Sequence, residues 1–160
     1  MGLLCDYFLA ESDERAAATI DWVGGPGHPP AKRGLLRKST TEARPTVSMN
    51  GVEPAVMMST LEHFLTGASV DELISRNARR HVADRDGGER LVMALSQSLQ
   101  DALAVADEPS LRRVAQPWSG TEEFFGQGDP AILGDCLIEL AALARQGLSV
   151  GEHLYCWVCV

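Results

Sequence analysis

Cys156 and Cys159 stand three apart in the closing run His153-Leu-Tyr-Cys-Trp-Val-Cys-Val160, a spacing shared by structural zinc sites and thiol redox centres. Their surroundings argue against both chemistries. Zinc requires a second ligand pair and a tight turn, and the remaining cysteines, Cys5 and Cys136, are isolated. A redox pair sits at a helix N-terminus, where the dipole depresses the thiol pKa. The closing run is instead uncharged and rich in β-branched and aromatic residues, the profile of a strand covered on both faces. Leu154, Cys156, Val158 and Val160 then face one way, and His153, Tyr155, Trp157 and Cys159 the other. All four cysteines read as small core residues with free thiols, and neither a metal nor another cofactor is implied.

Carboxylates give two further candidate sites. Asp6 is the only carboxylate in an apolar alternation running from Leu3 to Leu9, so it must find donors or bear a desolvation cost. Were Asp6, Tyr7, Tyr155 and Trp157 to line one end of a pair of terminal strands, they would border a small polar pocket. The alternative is Asp6 at a solvent-facing edge. Glu62 and His63 form the second pair, on a helix whose core face carries Met57, Leu61, Phe64 and Leu65. Helical geometry turns His63 away from that face and leaves Glu62 at its flank. Nothing resembling Gly-x-Ser-x-Gly occurs, and His28, His63, His81 and His153 show no recognisable spacing. Asp84-Arg-Asp86-Gly87 lacks the further oxygen ligands and closing Glu of a calcium loop, so His81 to Arg90 reads as a polar loop ahead of a helix.

The stretch from Trp118 to Gly128 brings three aromatics and two carboxylates, Glu122 and Glu123, into a Gly-flanked connection. Two readings stand beside each other. Aromatics beside charges in a loop form a binding surface; alternatively the stretch is a flap tucking Trp118, Phe124 and Phe125 into the core. Gly24 to Pro45 holds Lys32, Arg33, Arg37, Lys38 and Arg44 against Glu42 alone, in a chain of net charge −8. It reads as a long loop, with a strand or turn near Leu35 and Leu36, that is either a solvated surface segment or a basic arm over an acidic body. Its glycines match no phosphate loop.

The elements that position these residues follow from caps and periodicity. Strands are expected at Leu3–Leu9 and His153–Val160, paired in one sheet, and at Thr46–Val52 unless Asn50-Gly51 is a turn. Ser12 caps a helix over residues 13–21, and Pro54 opens one that stops at Gly67. Ser69-Val-Asp-Glu72 is a capping box for a helix fading after Ala78. A long amphipathic helix is expected over Glu89–Ala106, and a brief one over Leu111–Gln116 that ends at Pro117. Asp129-Pro130 opens a final helix that Gly147 stops. Ile132, Leu133, Cys136, Leu137, Ile138, Leu140 and Leu143 cover most of its circumference, leaving a polar stripe of Asp135, Glu139 and Gln146. The expected architecture is a single α+β domain over residues 1–160, with the long basic loop at about residues 24–45.

At 160 residues the chain buries enough surface to need no disulfide or metal for stability. The acidic balance disfavours nucleic acid and anionic membrane as partners. No run approaches the about 20 apolar residues of a membrane span, and the start carries no basic region before its short apolar run, so a cytoplasmic location is expected.

Met1-Gly2 leading into a strand and short helix, Leu61-Glu-His-Phe-Leu-Thr-Gly67 on a helix, and a long terminal helix with Arg145-Gln-Gly147 before a closing strand resemble the YfbM-like family of uncharacterised bacterial proteins. That pattern carries a Trp and a His upstream of Leu-Thr-Gly, where this chain has Met58 and Glu62. The resemblance implies an α+β fold and no reaction. The function expected from the residues is therefore a small non-catalytic protein that binds a protein partner or small ligand. The candidate contacts are Asp6, Tyr7, Trp118, Glu122, Glu123, Tyr155 and Trp157, with the basic segment Lys32 to Arg44 as a further surface. An enzyme built on Asp6 with Tyr7 or Glu62 with His63 is the alternative, and a metal or thiol-redox protein the second alternative.

Overall fold

In the computed structural model, which describes residues 2–30 and 42–160, a five-stranded antiparallel sheet packs with helices in an α+β arrangement. The strands are β1 (Leu4–Ala10), β2 (Thr46–Ser48), β3 (His81–Arg85), β4 (Arg90–Ala94) and β5 (His153–Cys159), in spatial order β2-β1-β5-β4-β3. The two strands nearest the chain ends pair along their whole length, from Leu4 opposite Cys159 to Ala10 opposite His153. The helices are α1 (Asp13–Ala17), α2 (Val56–Thr66), α3 (Val70–Asn77), α4 (Gln97–Val105), α5 (Glu108–Ser119) and α6 (Pro130–Val150). Among the described residues no helix is long and apolar enough to cross a membrane.

Strand alternation divides the core as the closing run foretells. Cys5, Tyr7, Leu154, Cys156 and Val158 face the main helical layer, where Leu137, Leu140, Ala141 and Ala144 of α6 are buried. Phe8, Ala10, Tyr155 and Trp157 face a smaller cluster closed by Ala16 and Ile20.

Several expected boundaries move, each for a physical reason. Helix α6 runs through Gly147 and stops at Gly151, whose φ of 73° is a left-handed cap. Gly147 serves packing instead: a Cβ there would lie 2.6 Å from Leu9 Cδ2 and 2.9 Å from the Glu152 carbonyl. The expected helix over Glu89–Ala106 divides into β4 and α4, because Asp86-Gly87-Gly88 adopts positive φ and closes a β3–β4 hairpin, and Ser96 caps α4 through its Oγ at 3.1 Å from Leu99 N. Leu91 and Leu95 fit both periods, which is why the stripe looks helical. Helix α5 continues past Pro117 to Ser119, where Trp118 gains complete burial and its indole donates to the Met57 carbonyl at 3.1 Å. Strand β2 ends at Ser48, with Met49 to Val52 forming the turn that Asn50-Gly51 signals. The reading of an element near Leu35 and Leu36, and the basic residues Lys32 to Lys38, lie outside the described residues.

Candidate binding site

Glu62 is the most deeply placed carboxylate among the candidate residues, at 1% exposure, although the α2 periodicity puts it at the flank. Three segments saturate it. Arg76 of α3 donates to Oε1 at 3.0 Å, Ser96 of the β4–α4 connection donates to Oε2 at 2.7 Å, and the Ser98 hydroxyl of α4 makes a short hydrogen bond to Oε1. Asn77 completes the shell with Nδ2 at 3.5 Å from Oε2 and 2.9 Å from Ser59 Oγ. This arrangement ties α2 to α3 and α4, and of its members only Arg76 lines one of the described concavities, while Glu62 lines none. His63 plays no part in it: its Nδ1 lies 2.7 Å from the Ala68 carbonyl and its ring lies 5.4 Å from that of Phe64. The Glu62–His63 pair is therefore not assembled.

Nor does the fold assemble Asp6 with Tyr7. Period-2 alternation sends Asp6 to the face of Trp157, its cross-strand partner, and Tyr7 to the opposite, fully buried face. Tyr7 donates to the Val52 carbonyl at 2.7 Å, and burial pushes its phenol well above the ordinary range. Tyr155 shares the Asp6 face but donates to Asp13 Oδ1 at 2.8 Å, and burial followed by that carboxylate raises its pKa. Asp6 accepts from Ser48 Oγ at 2.5 Å. Gly25, at φ +86°, closes over it: a Cβ there would lie 2.6 Å from Asp6 Oδ2 and 3.3 Å from the Trp157 ring. Among the described residues the terminal strands thus bring these four side chains to no common polar pocket, and Tyr7, Tyr155 and Trp157 are core residues.

The Trp118 stretch behaves differently, because it splits its aromatics. Trp118 is buried, with the Phe124 ring edge-on at 5.2 Å and 88°. The chain then turns tightly: Thr121 Oγ1 donates to the Trp118 carbonyl at 2.9 Å, and Phe125 N to the Glu122 carbonyl at 2.9 Å. That turn forces Phe125 to φ 51°, a left-handed conformation that bulky residues avoid, and it leaves the ring 87% exposed. Beside it Ile132, on the first turn of α6, is 62% exposed. Together with Val52, Phe124 and Leu133 they line a groove of about 440 Å³ whose rim carries Glu123 and Asp129.

Of the residues singled out from sequence, Glu122 and Glu123 reach this surface, whereas Trp118 supports it from inside. The residues not singled out from sequence are Phe125, for which a binding surface and a buried flap are both open, and Ile132, read as part of the apolar circumference of α6. The second had a signal. Ile132 projects within about 20° of Glu139 on a helical wheel, bordering the polar stripe of Asp135, Glu139 and Gln146.

Cys156 and Cys159 lie on opposite sheet faces, and all four cysteines are free thiols. Among the described residues no cluster of three or more His, Cys, Asp or Glu is arranged to hold a metal. Asp84 accepts from Gly88 N at 3.0 Å and Asp86 pairs with Arg90 at 2.7 Å, both within the hairpin. The chain matches no family model, no curated protein and no solved structure.

Proposed function

We propose that the protein is a non-catalytic binding protein whose contact surface is the groove between the Glu122–Phe125 turn, the Asn50–Val52 turn and the start of α6, and that its ligand is a segment of a protein partner. The observation that carries this reading is Phe125, a large aromatic held outward in a left-handed conformation. Such a conformation costs about 1–3 kcal/mol and persists only where the surroundings enforce it. Burying the ring would recover apolar contact, and two hydrogen-bonded turns and the packed Trp118–Phe124 pair keep it exposed. With Ile132 it forms an adjacent apolar pair over a concavity of side-chain dimensions. The resemblance to the YfbM-like family rests on motif order and adds no activity to this reading.

An array of immobilised short peptides of varied composition, probed with wild-type protein and Phe125→Gly, tests it. A set of peptides retained by the wild type and lost by the variant is expected. Retention of the same set by both proteins, or of none by either, contradicts the proposal.

A further inference from the structure

We infer that the segment this groove takes is a linear one presenting a single large aliphatic or aromatic side chain flanked by Lys or Arg, an inference that rests on the binding reading above. Its floor and one wall are apolar, from Val52, Phe124, Ile132 and Leu133, and Phe125 stands over them. A volume of about 440 Å³ seats one large side chain and the backbone that carries it. Among the described residues the charge lining it has one sign. Glu123 and Asp129 line the groove, Glu122 stands exposed beside it, and no Lys, Arg or His is among the lining residues.

These carboxylates are not taken up by the arginines that pair with carboxylates elsewhere in the protein. Arg44, Arg76, Arg85, Arg90 and Arg112 all pair with carboxylates elsewhere, at Glu11, Glu62, Asp21, Asp86, Glu108 and Asp135. Among the described residues no ion pair engages Glu122, Glu123 or Asp129. Glu123 Oε1 accepts only the Thr60 hydroxyl, at a long 3.4 Å, and Asp129 is held by the backbone amides of Ala131 and Ile132 at 2.8 and 3.4 Å. An approaching segment with cationic flanks is thus attracted on both sides of its apolar anchor, an acidic one is repelled, and a neutral one gains only the apolar contact. Because the rim is exposed, the attraction is screened as salt rises.

Three peptides that share a single central Phe and differ only in their flanks, Lys, Gln or Glu, separate the possibilities when titrated against labelled protein with backbone amide shifts as the readout. The Lys-flanked peptide is expected to move the Phe125 and Ile132 amides saturably and to bind about tenfold or more tighter than the Gln-flanked one at low salt. Its advantage disappears at high salt and in the Glu122→Gln, Glu123→Gln double variant, which keeps the groove's apolar lining. Equal binding of Lys- and Gln-flanked peptides at Phe125 and Ile132 overturns this inference and leaves the binding face standing. Absence of any saturable shift at those residues with all three peptides overturns both.

Discussion

Two clusters of the same raw materials, carboxylates beside hydroxyls and aromatics, have opposite fates in this protein. At Glu62 every polar atom of the carboxylate is turned inward and met by Arg76, Ser96, Ser98 or Asn77. At the Glu122–Phe125 turn the hydrogen bonds are spent on backbone geometry, and the side chains Glu122 and Phe125 are left facing solvent. A saturated buried cluster fixes helices and has nothing to offer a ligand, whereas the strained, open turn leaves an apolar ring and a carboxylate uncovered. The difference teaches that a carboxylate's role here depends on which groups already hold it, not on its neighbours in sequence.

The largest effect separating the two regions is expected from Glu62→Ala. Removing the acceptor leaves Arg76 without its counter-ion and takes a buried acceptor from Ser96, Ser98 and Asn77, and destabilisation of about 3–5 kcal/mol follows, read as a lower urea midpoint at unchanged slope. A loss below about 1 kcal/mol would break the comparison, since the cluster would then not be a structural tie. Gly128→Ala comes next. The added Cβ would press on the Ser119 backbone carbonyl, so about 1–3 kcal/mol is lost as the turn is forced open, and peptide binding falls with it.

The tyrosines probe how rigid the groove floor is. Tyr7 holds the Val52 carbonyl there, and both tyrosines of the chain have raised pKa values, each first through burial. A raised folded pKa contributes stability that is complete below the ordinary tyrosine value of about 10 and is lost as pH rises through the folded value. Ultraviolet titration should therefore show no phenolate while the fold persists in that range, then ionisation of both residues in one step with alkaline unfolding. Phenolate formation near pH 10 in folded Tyr155→Phe protein, where Tyr7 is the one tyrosine left, would mean that the floor opens readily.

Much of the fold was legible in the sequence, and the reasons mark where legibility ends. Pairing of the strands nearest the two chain ends followed from alternation in Leu3–Leu9 and His153–Val160, and the caps at Ser12 and Asp129 from residue type. The β3–β4 hairpin was hidden because Leu91 and Leu95 satisfy a helical period as well as they do a strand followed by a bend. The site was half legible. Composition marked the Trp118 stretch, but only three-dimensional turn geometry decides that Phe124 goes in and Phe125 out. Glu62 was misplaced for a related reason: periodicity reports the apolar face of α2, and the partners that bury its flank come from α3 and α4, remote in sequence.

The smallest change in stability is expected where the change in function is greatest, at Phe125. Glycine adopts the left-handed conformation without strain, which offsets its greater unfolded-state entropy, so Phe125→Gly should leave stability unchanged or raise it by up to about 1 kcal/mol. The most direct measurement is equilibrium unfolding of wild type and Phe125→Gly, each with and without the Lys-flanked Phe peptide, since a ligand that binds only the folded state raises stability, the more so the tighter it binds. The account predicts that the peptide raises the wild-type midpoint and leaves that of the variant unmoved on an equal or higher baseline. An undiminished rise in Phe125→Gly, or a baseline lowered as far as that of Glu62→Ala, would contradict it.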